Sequence, residues 1–206
     1  VMTTIDLKFW ESIKGFMHED EAKQLFQTAR LAAETGPILE VGSYCGKSAY
    51  VIGTACLKKG GVLFSVDHHH GSEEQQLGEE YFDKTLYDAD QERVNTFPFF
   101  QKTLKDSGLE ETVIPIVASS ETAGRMWKTP LSMLFIDGGH SFEAAHTDFL
   151  TWAYHLKPGG FLVFHDIFMD PEEGGQAPRQ VYEIALASGD FEPVEMVRTL
   201  AVLKRK

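Results

Sequence analysis

Five short, nearly continuous apolar runs punctuate the chain at 38–42, 62–67, 112–118, 131–137 and 161–165. Between them the apolar residues recur at three- and four-residue spacing. Ala49, Ile52, Gly53 and Cys56 fall on one side of the segment 47–58, and similar stretches cover 91–107 (interrupted at Pro98), Ser119 to Trp127, 141–156 and the region near 179–188. Continuous runs mark strands buried on both faces, and the three/four spacing marks helices. Two further β-type segments near 191–198 and 200–204 close the chain. Five βα units and a closing pair of strands predict an α/β fold, a doubly wound, mostly parallel seven-stranded sheet.

Ahead of this pattern, residues 3–34 read as helix. Asp6 can cap a first segment carrying Leu7, Trp10, Ile13, Phe16 and Met17, and Glu19–Asp20 opens a second with Ala22, Leu25, Phe26, Ala29, Ala32 and Ala33. Gly36-Pro37 stops it. These residues predict an N-terminal helical cap, 1–35, before a domain at 36–206, covering one edge of the sheet or lining the substrate mouth. The pattern breaks from His68 to Glu92, where His68-His69-His70-Gly71-Ser72-Glu73-Glu74 opens a polar, acidic stretch too long for an ordinary βα connection. A loop at that position usually carries function. A lid over cofactor or substrate is the expectation. Metal ligation by the histidine triplet is the alternative, although adjacent residues rarely all face one ion.

Composition narrows the classes of partner. At 206 residues and 43% hydrophobic, the chain can bury a substantial core. A formal net charge of −12 argues against nucleic acid, whose phosphates need clustered Lys and Arg, and Lys204-Arg205-Lys206 reads as a solvated tail. No apolar stretch approaches the roughly 20 residues that span a bilayer, and the N-terminus lacks the pattern of a signal peptide. Cys45 and Cys56 are expected to be reduced thiols in a cytoplasmic protein.

The candidate chemistry collects where the strands end, which is where such sheets bind ligands. Glu40–Gly46, Asp67, Ala118–Ser120, Asp137–His140 and His165–Asp166 follow the five strands in turn. Singly, Asp137 or Asp166 could cap the segment that follows, and His140 could be a satisfied buried histidine; five polar clusters at successive strand ends point to a site. In 37–48, Pro-Ile-Leu-Glu-Val-Gly-Ser-Tyr-Cys-Gly-Lys-Ser, Gly42 and Gly46 let backbone approach a ligand, and the helix start that follows attracts a carboxylate or phosphate. Asp67 stands one strand later, where a ribose-binding acid belongs. A nicotinamide-dependent oxidoreductase shares these two features. Tyr44 stands where its Gly-x-Gly-x-x-Gly would need a glycine.

The run Leu39–Ser48 resembles the first motif of class I S-adenosylmethionine-dependent methyltransferases, most closely the catechol O-methyltransferase type. Phe135–His140 and Leu156–Asp166 are similar to that class's fourth and fifth strands, and Val66–Glu74 together with Ile136–His140 looks like a bacterial subgroup of small-molecule methyltransferases. The resemblance spans roughly 36–168. It implies a Rossmann-like methyltransferase fold, S-adenosyl-L-methionine as cofactor and O-methylation of a small-molecule acceptor, and it admits a homodimer. Glu40, Gly42 and Gly46 would shape the methionine end of the pocket, and Tyr44 and Ser48 would contact the aminocarboxylate. Asp67 would hold the ribose with His68 beside it, and Ala118, Ser119 and Ser120 would meet the adenine. Asp137, also next to the cofactor, and Asp166 match the two metal-binding aspartates of the class, implying a divalent cation, Mg²⁺ or a transition metal. The usual asparagine ligand is replaced by Ile167, so His165 or His140 would complete the set. His140 stands where the catechol type keeps its catalytic lysine. A histidine of ordinary pKa, about 6.5, could take the acceptor's proton there. The other readings are a binder that keeps cofactor and fold without transferring methyl, and a relative that turns the pocket to a different reaction, as among cephalosporin hydroxylase-like proteins.

Overall fold

The computed structural model describes residues 5–206. Its sheet contains β1 (Ile38–Val41), β2 (Leu63–Val66), β3 (Val113–Ile116), β4 (Leu131–Ile136), β5 (Leu156–Phe164), β6 (Phe191–Val197) and β7 (Leu200–Arg205). The spatial order is β3-β2-β1-β4-β5-β7-β6. The first five strands pair in parallel, and β7 runs antiparallel between β5 and β6. Every residue of β1 and β4 is buried, which is why their sequences are continuous rather than alternating. The chain order reverses between these two strands, so their carboxyl ends open a crevice.

The helices are α1 (Leu7–Ser12), α2 (Glu19–Ala33), α3 (Lys47–Lys59), α4 (Phe97–Ser107), α5 (Ser120–Gly124), α6 (Phe142–Trp152) and α7 (Ala177–Ala187). Trp10, Leu25, Ile38, Ile52 and Phe100 share one core layer, while Leu39, Leu134, Phe149, Trp152 and Val181 share the layer on the other side. The N-terminal helices therefore pack on a face of the sheet beside α3, with α2 touching the strands directly, not along its edge. Residues 3 and 4 of the expected helical stretch lie outside the described residues. No helix among the described residues is long and apolar enough to cross a membrane.

Two segments depart from the periodicity. Residues 91–96 are not helical, because Arg93–Val94 pairs with Tyr87–Asp88 in a small antiparallel ladder. Pro98 starts α4 instead of interrupting it, as a residue without N–H can in a first turn. Residues 157–160, which read as a turn, belong to β5. Leu131 pairs with Leu156 and Met133 with Phe161, so the intervening residues arch out as a bulge, with Gly159 at φ +79°.

Candidate active site

The turn after β1 is built on a close approach. A Cβ on Gly42 (φ +89°) would come within 2.0 Å of the Asp137 carbonyl oxygen, so only glycine lets the ends of β1 and β4 run this close. Gly46 occupies the N-cap of α3 in a left-handed conformation and no side chain caps the helix, leaving its first N–H groups available to an anion. Tyr44 is also left-handed (φ +47°), unusual for a bulky residue. Asp67 holds it there. Its Oδ2 accepts the N–H groups of Ser43 (2.8 Å) and Tyr44 (2.9 Å), and its Oδ1 accepts that of His69 (2.7 Å). The expected ribose ligand is thus first a staple between β1 and β2, with about one of its four acceptor positions left for a hydroxyl.

Beneath the turn, Glu40 is fully buried and accepts hydroxyl protons from Ser48 (2.9 Å) and Ser65 (2.5 Å). Burial pushes its carboxyl up to about 8. Ser48, expected on the aminocarboxylate, spends its own donor on Glu40.

Asp137, His140 and Asp166 converge at the ends of β4 and β5, with one donor atom from each within 4.8 Å of the others. His140 Nε2 lies 3.0 Å from Asp166 Oδ2, and its Nδ1 lies 3.0 Å from Oε2 of Glu74, a residue of the loop after β2. The Asp166 bond, outweighing burial, carries His140 up to about 9. These carboxylates therefore hold protonated at neutral pH the imidazole expected to act as a base near pH 6.5. Burial lifts Asp137 above the ordinary carboxylate range despite His165. Burial would lift Asp166 too, but its bonds to His140 and His165 hold it well below that range.

His165, expected among the metal ligands, stands one layer behind. It is 5% exposed, with Nδ1 3.2 Å from Asp137 and 3.4 Å from Asp166, and Nε2 3.0 Å from Glu21 on α2. With carboxylates at both nitrogens it carries charge: burial opposes its proton, yet Asp137, Asp166 and Glu21 raise its pKa well above the usual value. Glu21 also accepts from the Thr199 N–H (2.9 Å), the Thr199 hydroxyl (2.7 Å) and the His18 N–H (2.9 Å). Neither Glu21 nor Thr199 stood out as a site residue. The available signal was a carboxylate four residues before Leu25, on the stripe that α2 buries.

These groups open on one cleft of about 1140 Å³. Every expected site residue lines it except Glu40, Gly46 and His165, which support it from behind. The histidine triplet splays. His68 faces the cleft, His69 is buried between Phe97 and Phe100, and His70 Nε2 lies 3.1 Å from the Arg93 guanidinium. The triplet does not converge on one ion. Its loop instead reaches over the site, through Glu74 to His140, and through Asp83 and Thr85 to Lys14 between α1 and α2. Phe16, 60% exposed, meets Tyr81 edge-to-face and lies tilted toward Tyr44 at the mouth.

A doubly wound sheet in this order, with a glycine turn, an acid and paired aspartates at its carboxyl ends, defines a class I methyltransferase-type domain. The chain belongs to the methyltransferase-domain family, whose profile matches residues 39–167. Solved structures share the fold. The O-methyltransferase TomG from Streptomyces achromogenes, in complex with SAM and involved in tomaymycin synthesis, aligns over 92% of this chain and 81% of its own at 17% identity and TM-score 0.62. The O-methyltransferase from Bacillus cereus, in complex with SAH, aligns over 100% and 94% at 14% identity and TM-score 0.67. The O-methyltransferase NovP aligns over 91% and 78% at 14% identity and TM-score 0.67.

Proposed function

We propose that the chain transfers the methyl group of S-adenosylmethionine to an oxygen of a small-molecule acceptor, with the reaction centred on Asp137, His140 and Asp166. One observation carries the reading: the uncapped start of α3, the Asp67 carboxylate and an O, N, O donor set all face a single cleft. The free N–H groups of α3 suit the cofactor's carboxylate, and the remaining acceptor position on Asp67 suits a ribose hydroxyl. TomG and the Bacillus cereus protein, solved with SAM and SAH, support it.

The donor set fits a divalent cation. Two half-buried carboxylates set close to each other, together with an imidazole, suit Mg²⁺ or Mn²⁺ and tolerate later transition metals. Such an ion would lower the pKa of an acceptor hydroxyl and fix its oxygen. His140 would then give up its proton to become a ligand. Without the ion, its two carboxylate partners keep it protonated, and it can accept the acceptor's proton only as the pH approaches about 9. Methyl transfer from a sulfonium is an in-line displacement, so the chain must align the acceptor oxygen and exclude water. The loop bearing Glu74 and the Phe16–Tyr81 pair stand where they can do so. The cytoplasm is the compartment we propose, since Cys45 and Cys56 are both buried free thiols.

Calorimetry with S-adenosylhomocysteine and with NAD tests the cofactor. Binding of the first alone is expected, and binding of NAD alone would overturn the reading. A panel of hydroxylated acceptors, with and without chelator, then tests transfer. No methylated product from any acceptor, with cofactor bound, would leave a binder rather than an enzyme.

A further inference from the structure

One ionisable side chain faces the cleft from a buried position and has no role in the account above. Asp148 lies in the middle of α6, is 7% exposed, and lines the cleft beside Ser120 and Gly138. A Cβ on Gly138 would come within 2.5 Å of its Oδ2, so the carboxylate packs directly against the turn after β4. The Ser120 hydroxyl stands beside it and favours its charged form. That hydroxyl accepts the Trp152 indole N–H at 3.1 Å, which leaves its single proton for Asp148. One donor leaves most of the carboxylate's acceptor positions open, and burial pushes the group up to about 6. A buried carboxylate this sparsely bonded is costly for packing alone, particularly between Ala145, Phe149 and Trp152 of the core. It is arranged to meet a donor that arrives from the cleft.

The sheet order says which part of a nucleoside-like ligand arrives there. With the charged end at the start of α3, over β1, and a sugar at Asp67, over β2, the base falls at the end of β3. Ala118 and Ser119 line the cleft there, as do Ala144, Thr147 and Asp148 of α6, the helix that packs against α5 beside them. We propose that Asp148 accepts a hydrogen bond from the exocyclic amino group of the cofactor's adenine and thereby selects adenine over purines that carry a carbonyl at that position. The inference rests on the S-adenosylmethionine reading of the same cleft. Adenine offers N–H donors at its six-position, whereas hypoxanthine offers an oxygen, which would face the carboxylate as acceptor against acceptor.

The test compares S-adenosylhomocysteine with its deaminated analogue, S-inosylhomocysteine, and with the N6,N6-dimethyl analogue, which keeps the ring but has no donor. Calorimetry on the unmodified chain should show both analogues bound roughly 10- to 100-fold more weakly, the range for a hydrogen bond to a charged group. Asp148→Asn presents an amide that can donate or accept, so its adenine-over-hypoxanthine preference should collapse to about threefold or less. Equal binding of the three ligands by the unmodified chain, or an Asp148→Asn variant that keeps the full preference, would overturn the assignment while leaving the cofactor reading intact. Failure of the unmodified chain to bind S-adenosylhomocysteine at all would remove both. The ligand series needs no variant, so it decides the question even where Asp148→Asn folds poorly.

Discussion

Glu21→Gln isolates the charge that α2 sends into the site. Glu21 is 3% exposed and its pKa falls from 4.5 to about 2: burial would raise it, but His165, the His18 N–H and Thr199 together outweigh that cost. At about 1.4 kcal/mol per pH unit, that depression corresponds to roughly 3 kcal/mol. Removing one partner from a buried ion pair costs about 3–5 kcal/mol, which agrees. Because the folded pKa is depressed, the stabilisation is present above the unfolded value of 4.5 and is lost as the pH falls through about 2. Linkage then gives a difference between the two proteins of roughly 3 kcal/mol at pH 7 and about 1 kcal/mol at pH 3. For His165 the sign is opposite: its raised pKa stabilises the fold below 6.5, and that contribution disappears as the pH rises through its folded value. The gap should therefore be widest between these limits. Urea unfolding with chelator present measures it, and the melting temperature of the variant should drop by about 6–12 °C near neutral pH. A gap below about 1 kcal/mol, or one that stays constant from pH 7 to pH 3, would refute the buried pair.

Asp67→Ala should weaken S-adenosylhomocysteine binding by about 1.5–3 kcal/mol and lower stability as well, because it releases three backbone N–H groups as well as any sugar. Unchanged affinity by calorimetry would show that the turn holds without its staple. Asp166→Ala should abolish Mn²⁺ binding followed by electron paramagnetic resonance and make residual turnover insensitive to chelator; an unaltered Mn²⁺ spectrum would place the ion elsewhere. In chelated protein His140→Gln should bind the cofactor normally and show a turnover deficit that widens as the pH rises toward about 9, where the unmodified imidazole becomes free to act, reaching about 10²–10⁴-fold. Near-normal turnover at about pH 9 would remove His140 from the chemistry as a base. In chelated unmodified protein, activity should climb with pH toward about 9, where His140 becomes free to accept a proton.

The parts legible in the sequence are those decided by neighbours along the chain. β1 and β4 announce themselves because all their residues are buried, and Gly42 because the next turn needs its backbone at φ +89°. Asp137 and Asp166 are legible because a parallel sheet delivers every carboxyl end to the same edge. What failed was decided across the chain. Lys157-Pro158-Gly159-Gly160 carries every mark of a turn, and becomes a bulge in β5 only because Leu131 waits opposite Leu156. Which histidine faces the cleft beside the aspartates is decided by direction. His165, just past β5, turns back toward α2, away from the cleft that Asp166 lines. Once turned, it needs a partner on the far side, and the chain supplies Glu21, 144 residues away, fixed in turn by Thr199. Both lie outside the stretch 39–167 that family membership covers. The aspartates at the heart of the site thus lie inside the matched stretch, while groups that hold His165 behind them come from the N-terminal helix and the last hairpin. A relative could keep every residue of the matched stretch and still differ in how firmly Asp137 and Asp166 are held.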